Sequence, residues 1–254
     1  MRGLLTDADA VRRLWDGAFT FVVLDVETTG LPRINNADPR MTRAFDGCRL
    51  LSLAAMKWHV PAPGARARVV DALHRIVLPE DHVVPPCPVH DITHALAVAE
   101  GVPLLNVVKS LCTMVEGADC IVAYNTPFDY SVITSELHRY GWKQYLRQLD
   151  AVPWACAMRM AIAHLGVERW PKLAAAYAAM HPASGALAAV QLHDALNDTA
   201  VASQVFMRAL GIEGDGAIVV AGPEQVTTRA RCWQATSRAL SGGGPQNPGC
   251  VGSV

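Results

Sequence analysis

The chain has 254 residues, and its 22 Lys+Arg against 23 Asp+Glu leave a formal net charge of −1. Hydrophobic residues make up 51% and charged residues 18%, which excludes an intrinsically disordered or highly charged tail protein. The near-neutral charge argues against a protein that coats long nucleic acid, because such proteins neutralise many phosphates, but it allows one that holds a few nucleotides.

The N-terminal sequence MRGLLTDADAVRRLW carries acidic residues where a signal peptide needs an apolar stretch, so we expect a cytoplasmic protein. The longest apolar runs, such as Phe21–Leu24 and Leu53–Met56, are too short to cross a bilayer, so no membrane partner is expected. The 7 Cys include no C-x-x-C pair, which indicates buried, reduced thiols. A zinc site from Cys232, Cys250 and a distant His matches no common spacing and is kept only as an alternative.

The first part of the chain predicts three strands. Phe19–Val26 (FTFVVLDV) is a β-rich apolar run and predicts a buried strand. A long polar loop over 33–48 leads to two further strands, Leu50–Val60 and Val69–Leu78, which we expect to form an antiparallel hairpin. The proline-rich stretch Pro79–Pro88 cannot form a regular element.

The rest of the chain is mostly helical in its periodicity. A short apolar strand is expected at Cys120–Tyr124, and Gly141 is expected to end the helix that follows it. After Gly211 the periodicity fades, and residues 241–254 predict a flexible tail. The order of elements predicts an α/β protein with a mixed sheet flanked by helices. The expected helices are Leu104–Glu116, Phe128–Tyr140 with Pro127 in the first turn, 154–165, 171–180 and 194–210.

Two carboxylates stand at the end of the first predicted strand, in the sequence Leu-Asp25-Val-Glu27-Thr-Thr-Gly-Leu-Pro. Residues i and i+2 of a strand point to the same face, so Asp25 and Glu27 should project together. Two such carboxylates repel each other unless a cation lies between them, and Mg²⁺ suits a site of this kind. The alternative is a strand end that simply meets solvent.

Two further segments place acidic residues at helix starts. Asp129 lies in the first turn of a helix that directly follows a buried strand, where an acidic residue also favours the helix dipole. His193 precedes the last helix, and Asp198 lies just over one turn into it, so the two can flank a common cavity. Histidines in such positions are also common as surface or capping residues.

Taken together, these segments resemble the motifs of the DEDDh (DnaQ-like) 3′–5′ exonucleases. The resemblance implies a ribonuclease H-like mixed sheet flanked by helices, an exonuclease domain over 19–210, an N-terminal extension over 1–18 and a C-terminal extension over 211–254. Two positions depart from the family pattern: Tyr124 stands where the family has His, and Asp91 where it has Gly. The matching segments are Asp25-Val-Glu27-Thr-Thr-Gly-Leu, Asn125-x-x-Phe128-Asp129, His193-x-Ala195-Leu196-x-Asp198 and Val89-His90-Asp91-Ile92-Thr93.

The resemblance also implies roles for individual residues. Two Mg²⁺ ions, which Mn²⁺ can replace, would be bound by Asp25, Glu27 and Asp198, with Asp129 supporting the site directly or through water. His193 would be the general base, since an ordinary His pKa of about 6.5 suits proton transfer near neutral pH. The residues implied to contact the substrate are Thr28, Thr29, Leu31 and Asn125, whereas Phe128 is expected to belong to the core.

The implied function is metal-dependent 3′–5′ exonuclease activity on nucleic acid 3′ ends, with single-stranded DNA favoured over RNA. Three alternatives stay open: an RNase-type 3′ trimmer of the same family, a proofreading subunit bound to a DNA polymerase, and a non-catalytic 3′-end-binding protein. The choice of sugar depends on individual 2′-OH contacts that the motifs do not report. The oligomeric state is not readable from the sequence.

Overall fold

The computed structural model describes residues 3–182 and 194–214, all of which belong to one compact unit. Several sequence-based predictions lie outside the described residues: the general base His193, the alternative zinc ligands Cys232 and Cys250, and the flexible tail at 241–254. The division into extensions and an exonuclease domain also stays a prediction.

The described strands form one six-stranded sheet. They are β1 (Leu4–Leu5), β2 (Phe19–Thr28), β3 (Leu50–Val60), β4 (Arg68–Ile76), β5 (Cys120–Ala123) and β6 (Trp154–Cys156). The spatial order is β1-β6-β5-β2-β3-β4, in which β2, β3 and β4 are antiparallel neighbours while β5, β6 and β1 continue the sheet in parallel. A central strand between an antiparallel hairpin and three parallel strands is the ribonuclease H-like arrangement, so the predicted fold class is confirmed.

Helices cover both faces of this sheet because alternate residues of β2 are apolar on both sides. Phe19, Phe21 and Val23 belong to one core, whereas Val22 and Leu24 belong to the other. No described helix is long and apolar enough to cross a membrane. The helices are α1 (Ala8–Arg12), α2 (His94–Glu100), α3 (Leu104–Val115), α4 (Thr126–Arg139), α5 (Lys143–Ala151), α6 (Ala157–Leu165), α7 (Leu173–Met180) and α8 (Ala195–Leu210).

Most predicted elements are present, and one was assigned wrongly. The structure has β3 with the predicted bounds, and the expected hairpin pairs β3 with β4. The predicted helix at 154–165 is wrong at its start, because Trp154–Cys156 is a buried strand paired in parallel with β5. A short apolar run is compatible with a strand or a helix, and only the neighbouring strand decides between them. The helices α1, α2 and α5 and the strand β1 were not predicted.

Candidate metal centre

Three carboxylates from two elements meet at the carboxyl end of β2. Asp25 and Glu27 project from the same face of β2, as their i, i+2 spacing predicted, and Asp198 comes from the first turn of α8. One carboxylate oxygen from each of the three lies within 4.8 Å of the others. We call these three residues the acidic cluster.

Helix α8 is held on this face of the sheet by polar contacts with β3. The Trp58 indole Nε1 donates to Ser203 Oγ at 3.1 Å, and Thr199 Oγ1 donates to the Ala54 carbonyl oxygen at 3.4 Å. The N-cap of the helix is Asp194, whose Oδ1 accepts from the backbone N–H groups of Leu196 and Asn197, both at 3.1 Å. These contacts fix where the first turn of α8, and with it the third carboxylate, lies relative to β2.

The acidic cluster is electrostatically unfavourable without a cation. Burial holds the pKa of Asp25 well above its ordinary value, and the carboxylates of Asp129, Asp198, Glu27 and Asp194 raise it further. Burial likewise raises the pKa of Glu27 to about 8, assisted by Asp198, Asp194 and Asp129. No cationic side chain in the described ranges lowers either pKa. A divalent cation would relieve this repulsion, so the donor set fits Mg²⁺ or Mn²⁺.

Asp129 lies beside the cluster and is more deeply buried, with 3% of its surface exposed. Burial raises its pKa to about 7, although hydrogen bonds from its own amide and from that of Val26 lower it, and Asp198 contributes repulsion. Asp129 is not one of the three carboxylates whose oxygens meet within 4.8 Å. A supporting role, directly or through water, remains the prediction for this residue.

The turn after Glu27 is fastened to the end of the long loop that leads to β3. Thr28 Oγ1 donates to the Gly30 carbonyl oxygen at 2.7 Å, and Thr29 Oγ1 donates to the Gly47 carbonyl oxygen at 3.2 Å. Gly30 is required here, because a Cβ would stand 2.8 Å from that same Gly47 oxygen. Of the predicted substrate contacts in this turn, Thr29 is buried whereas Leu31 is 75% exposed.

His90 also supports this turn. In the sequence it stood out only as part of the stretch Val89-His90-Asp91-Ile92-Thr93, which resembles the family. His90 is buried; its Nδ1 accepts from the Ile92 amide at 3.3 Å, which leaves the proton on Nε2 to be donated to the Thr28 carbonyl oxygen at 3.2 Å. Asp194 was missed as well, although an acidic residue directly before a helical pattern is a recognised N-cap signal.

The second motif contributes both open and packed side chains. Asn125, predicted to contact substrate, is exposed and makes no side-chain capping bond to α4. Phe128 packs partly against the core, as expected, and also lines a groove with Asn125 and Leu31. His193, the predicted general base, lies outside the described residues, one position before Asp194.

Comparisons with known proteins give a distant structural likeness. No protein-family model matches the chain, and no curated protein matches it in sequence. Among solved structures, cell-death related nuclease 4 (CRN-4) is similar in fold, with 12% sequence identity and a TM-score of 0.46. The match covers 76% of this chain and 64% of that one, so the chain spans less than two thirds of that protein's chain. A likeness this distant says nothing about activity, and the acidic cluster has to support any functional conclusion.

Proposed function

We propose that the chain is a metal-dependent 3′–5′ exonuclease that hydrolyses the terminal phosphodiester bond of single-stranded nucleic acid, with DNA favoured over RNA. The observation that carries the proposal is the meeting of Asp25, Glu27 and Asp198 within 4.8 Å on a ribonuclease H-like sheet. Three carboxylates whose negative charges repel one another form a site for divalent cations and for the phosphate that such cations attract.

In this proposal each protein group has one task. Asp25, Glu27 and Asp198 would hold the cations, with Asp129 supporting them, and bound divalent cations would supply Lewis-acid stabilisation of the attacking and leaving oxygens. His193 would accept the proton of the attacking water. Leu31, four residues after Glu27, and Asn125, which follows β5, are both exposed and would orient the terminal nucleotide.

Digestion of matched DNA and RNA oligonucleotides tests the proposal. With Mg²⁺ or Mn²⁺, a 5′-labelled single strand should shorten one nucleotide at a time and release 5′-mononucleotides, and excess EDTA should abolish the reaction. A circular single strand of the same sequence should stay intact, because it has no 3′ end. Cleavage of the circle would mean an endonuclease, and undiminished digestion in EDTA would contradict the metal site.

A matched pair of variants ties any activity to the acidic cluster. Asp198→Asn should lose turnover by several orders of magnitude, because it removes a charged ligand while keeping the size of the side chain. Glu213→Gln also neutralises one carboxylate but lies outside the acidic cluster, so its rate should equal that of the unmodified chain. If both variants digest DNA normally, the activity belongs to a contaminating nuclease or to another site.

A further inference from the structure

A groove of about 1100 Å³ lies next to the predicted substrate residues Leu31 and Asn125. Its lining includes residues that follow three parallel strands: Leu31 after β2, Asn125 after β5 and Arg159 after β6. In open α/β sheets, ligands bind outside the carboxyl ends of the strands, where the acidic cluster also lies. Its volume is slightly above the roughly 300–1,000 Å³ of small-molecule pockets, so it has room for more than one nucleotide.

The loop over 166–172 contributes the aromatic ring of Trp170 to the lining of the groove, and two cationic residues flank that ring in sequence. Trp170 lines the groove and is 66% exposed, which is unusual for so large an apolar side chain. Arg169 and Lys172 flank it, and Arg159 lines the groove nearby; all three are exposed. Within the described parts of the chain, none of these three cations forms an ion pair.

This pattern differs from that of the other guanidinium in the groove. Arg40 is paired with Asp38, so its charge is already neutralised within the protein. Among residues 3–182 and 194–214, Arg159, Arg169 and Lys172 have no such partner, and their charge complements an anionic ligand. An exposed aromatic ring among unpaired cations is the composition with which proteins bind single strands, the ring stacking on a base and the cations contacting phosphates.

The loop is tied to the end of β5 by Tyr124, one of the two residues that depart from the family pattern. Tyr124 Oη donates to the Pro171 carbonyl oxygen at 2.7 Å, and its ring is 9% exposed. Tyr124 directly precedes Asn125, so one short segment both lines the groove and anchors the loop next to Trp170. The hydrogen bond therefore restrains the backbone next to Trp170 at the wall of the groove.

We propose that this loop is a stacking platform for single-stranded nucleic acid, with Trp170 receiving a nucleobase upstream of the terminal nucleotide. Arg159, Arg169 and Lys172 contact the phosphates on either side of that base. The inference rests on the proposed function, which brings the 3′ end of the same strand to the acidic cluster. Tyr124 acts as a positioning residue for the platform.

Steady-state kinetics and binding on oligothymidylates of different length test the platform. Trp170→Ala should raise KM and Kd for a strand of about eight nucleotides by roughly 5- to 100-fold, the scale of one lost base stack, with kcat little changed. A dinucleotide is too short to reach the loop and should be affected less. Trp170→Phe retains a stacking ring and should recover most of the affinity.

Two further variants separate charge and positioning from the ring itself. Arg159→Gln should weaken binding of the octamer and reduce its salt dependence, whereas Arg13→Gln, an exposed arginine outside the groove, should change neither. Tyr124→Phe removes only the hydroxyl and should raise KM for the octamer by about fivefold, the equivalent of one ordinary hydrogen bond. Quenching of tryptophan fluorescence by the bound octamer should be smaller in Trp170→Phe.

The outcomes distinguish this inference from the proposed function. Suppose that the chain hydrolyses no strand but that Trp170→Ala weakens oligonucleotide binding. This result supports the platform and contradicts the nuclease. Normal hydrolysis and normal octamer KM in both Trp170→Ala and Arg159→Gln overturn the platform and leave the nuclease standing. Failure of the unmodified chain to bind the octamer overturns the platform. Binding of a protein partner through Trp170, with oligonucleotide affinity unchanged in Trp170→Ala, also overturns it.

Discussion

Asp25 retains a carboxylate where burial and its neighbours oppose a negative charge. Replacing it with Asn keeps the shape of the side chain and removes one of the repelling charges. We expect Asp25→Asn to stabilise the metal-free protein near neutral pH, because a buried group that opposes ionisation is replaced by a neutral one, while lowering nuclease turnover by several orders of magnitude. Thermal melts in EDTA and digestion assays in Mg²⁺ measure the two effects.

The exposed carboxylate Glu80 supplies the control for this variant. Glu80→Gln makes the same charge change outside the acidic cluster and should alter neither melting nor turnover. A clear fall in the melting temperature of Asp25→Asn would mean that Asp25 has a structural role and that its charge is compensated. Stability gained together with activity lost is the pattern of a metal ligand.

The raised pKa values also predict how the stability of the metal-free protein depends on pH. Glu27, with a pKa of about 8, and Asp129, with a pKa of about 7, hold protons in the folded state that the unfolded chain releases near pH 4. The folded state then binds more protons than the unfolded state, so the free energy of unfolding in EDTA should fall as pH rises from about 4.5 to 8. Added Mg²⁺ should abolish most of this fall at pH 8.

The pKa values of His74 and His181 are lowered chiefly by burial, which has the opposite effect on stability below about pH 6.5. The comparison is therefore best made between the unmodified chain and Glu27→Gln over pH 7 to 8. Urea titrations should show a smaller loss of stability for Glu27→Gln across this interval. Equal slopes for the two proteins would contradict the raised pKa of Glu27.

A histidine on β4 makes the assignment of the general base testable. His74 belongs to the same cross-strand row as Asp25, through Ala54, and its Nε2 lies 3.2 Å from Ser52 Oγ. We expect His193→Ala to lower kcat by roughly 10²–10⁴-fold with unchanged affinity for Mn²⁺, whereas His74→Gln should lower it far less. If the larger loss follows His74→Gln, the base is His74 and the sequence-based assignment of His193 is wrong.

Among the elements, α4 and the start of β3 are joined by a buried ion pair that sequence reasoning did not identify. Arg49 Nε donates to Glu136 Oε1 at 2.7 Å, and the same guanidinium donates to Asp81 and Tyr140. The backbone N–H of Arg49 also donates to Thr29 Oγ1 at 2.9 Å, so the pair helps to fix the turn beside the acidic cluster.

Removing one member of this ion pair should lower the free energy of unfolding by more than removing both members together. Glu136→Leu leaves the Arg49 guanidinium buried with only part of its partners, and we expect a loss of about 3–5 kcal/mol in urea unfolding. The double variant Arg49→Met, Glu136→Leu removes both charges and should be more stable than the sum of the single losses allows. Additive losses would mean that the two side chains contribute independently.

The elements also show which parts of the molecule the sequence predicted. The β2 and β3 strands were predictable because each is an apolar run followed by turn residues, and the α8 helix because its helical periodicity ends at Gly211. The strand Trp154–Cys156 was not, since a three-residue run forms a strand only by pairing with β5. The ion pair of Arg49 and Glu136 joins residues far apart in sequence, and no local pattern reports such a contact.

At the scale of the whole molecule, the predicted N-terminal extension contributes to the core of the fold. Leu4 and Leu5 form β1, which extends the sheet in parallel beside β6. Val11 is fully buried, and Arg12 Nη2 donates to the Leu210 carbonyl oxygen at 3.2 Å, at the C-terminal end of α8. The segment thus helps to hold the helix whose other end supplies Asp198.

Deleting residues 1–13 should therefore destabilise the chain, although it removes no residue of the acidic cluster. Burial of Val11 alone is worth about 2 kcal/mol, and the edge strand and the bond from Arg12 are lost with it. We expect the midpoint of urea unfolding to fall clearly, and Mg²⁺ affinity to weaken because α8 is less firmly held.

Truncation after Gly214 is the matched comparison, since it keeps the hydrogen bond of 2.7 Å from the Ala67 amide to the Glu213 carbonyl oxygen. That shorter chain should retain both stability and hydrolysis of short oligonucleotides. An unchanged midpoint after the N-terminal deletion would show that β1 and α1 are dispensable, and that the sheet and α8 alone hold the three carboxylates together.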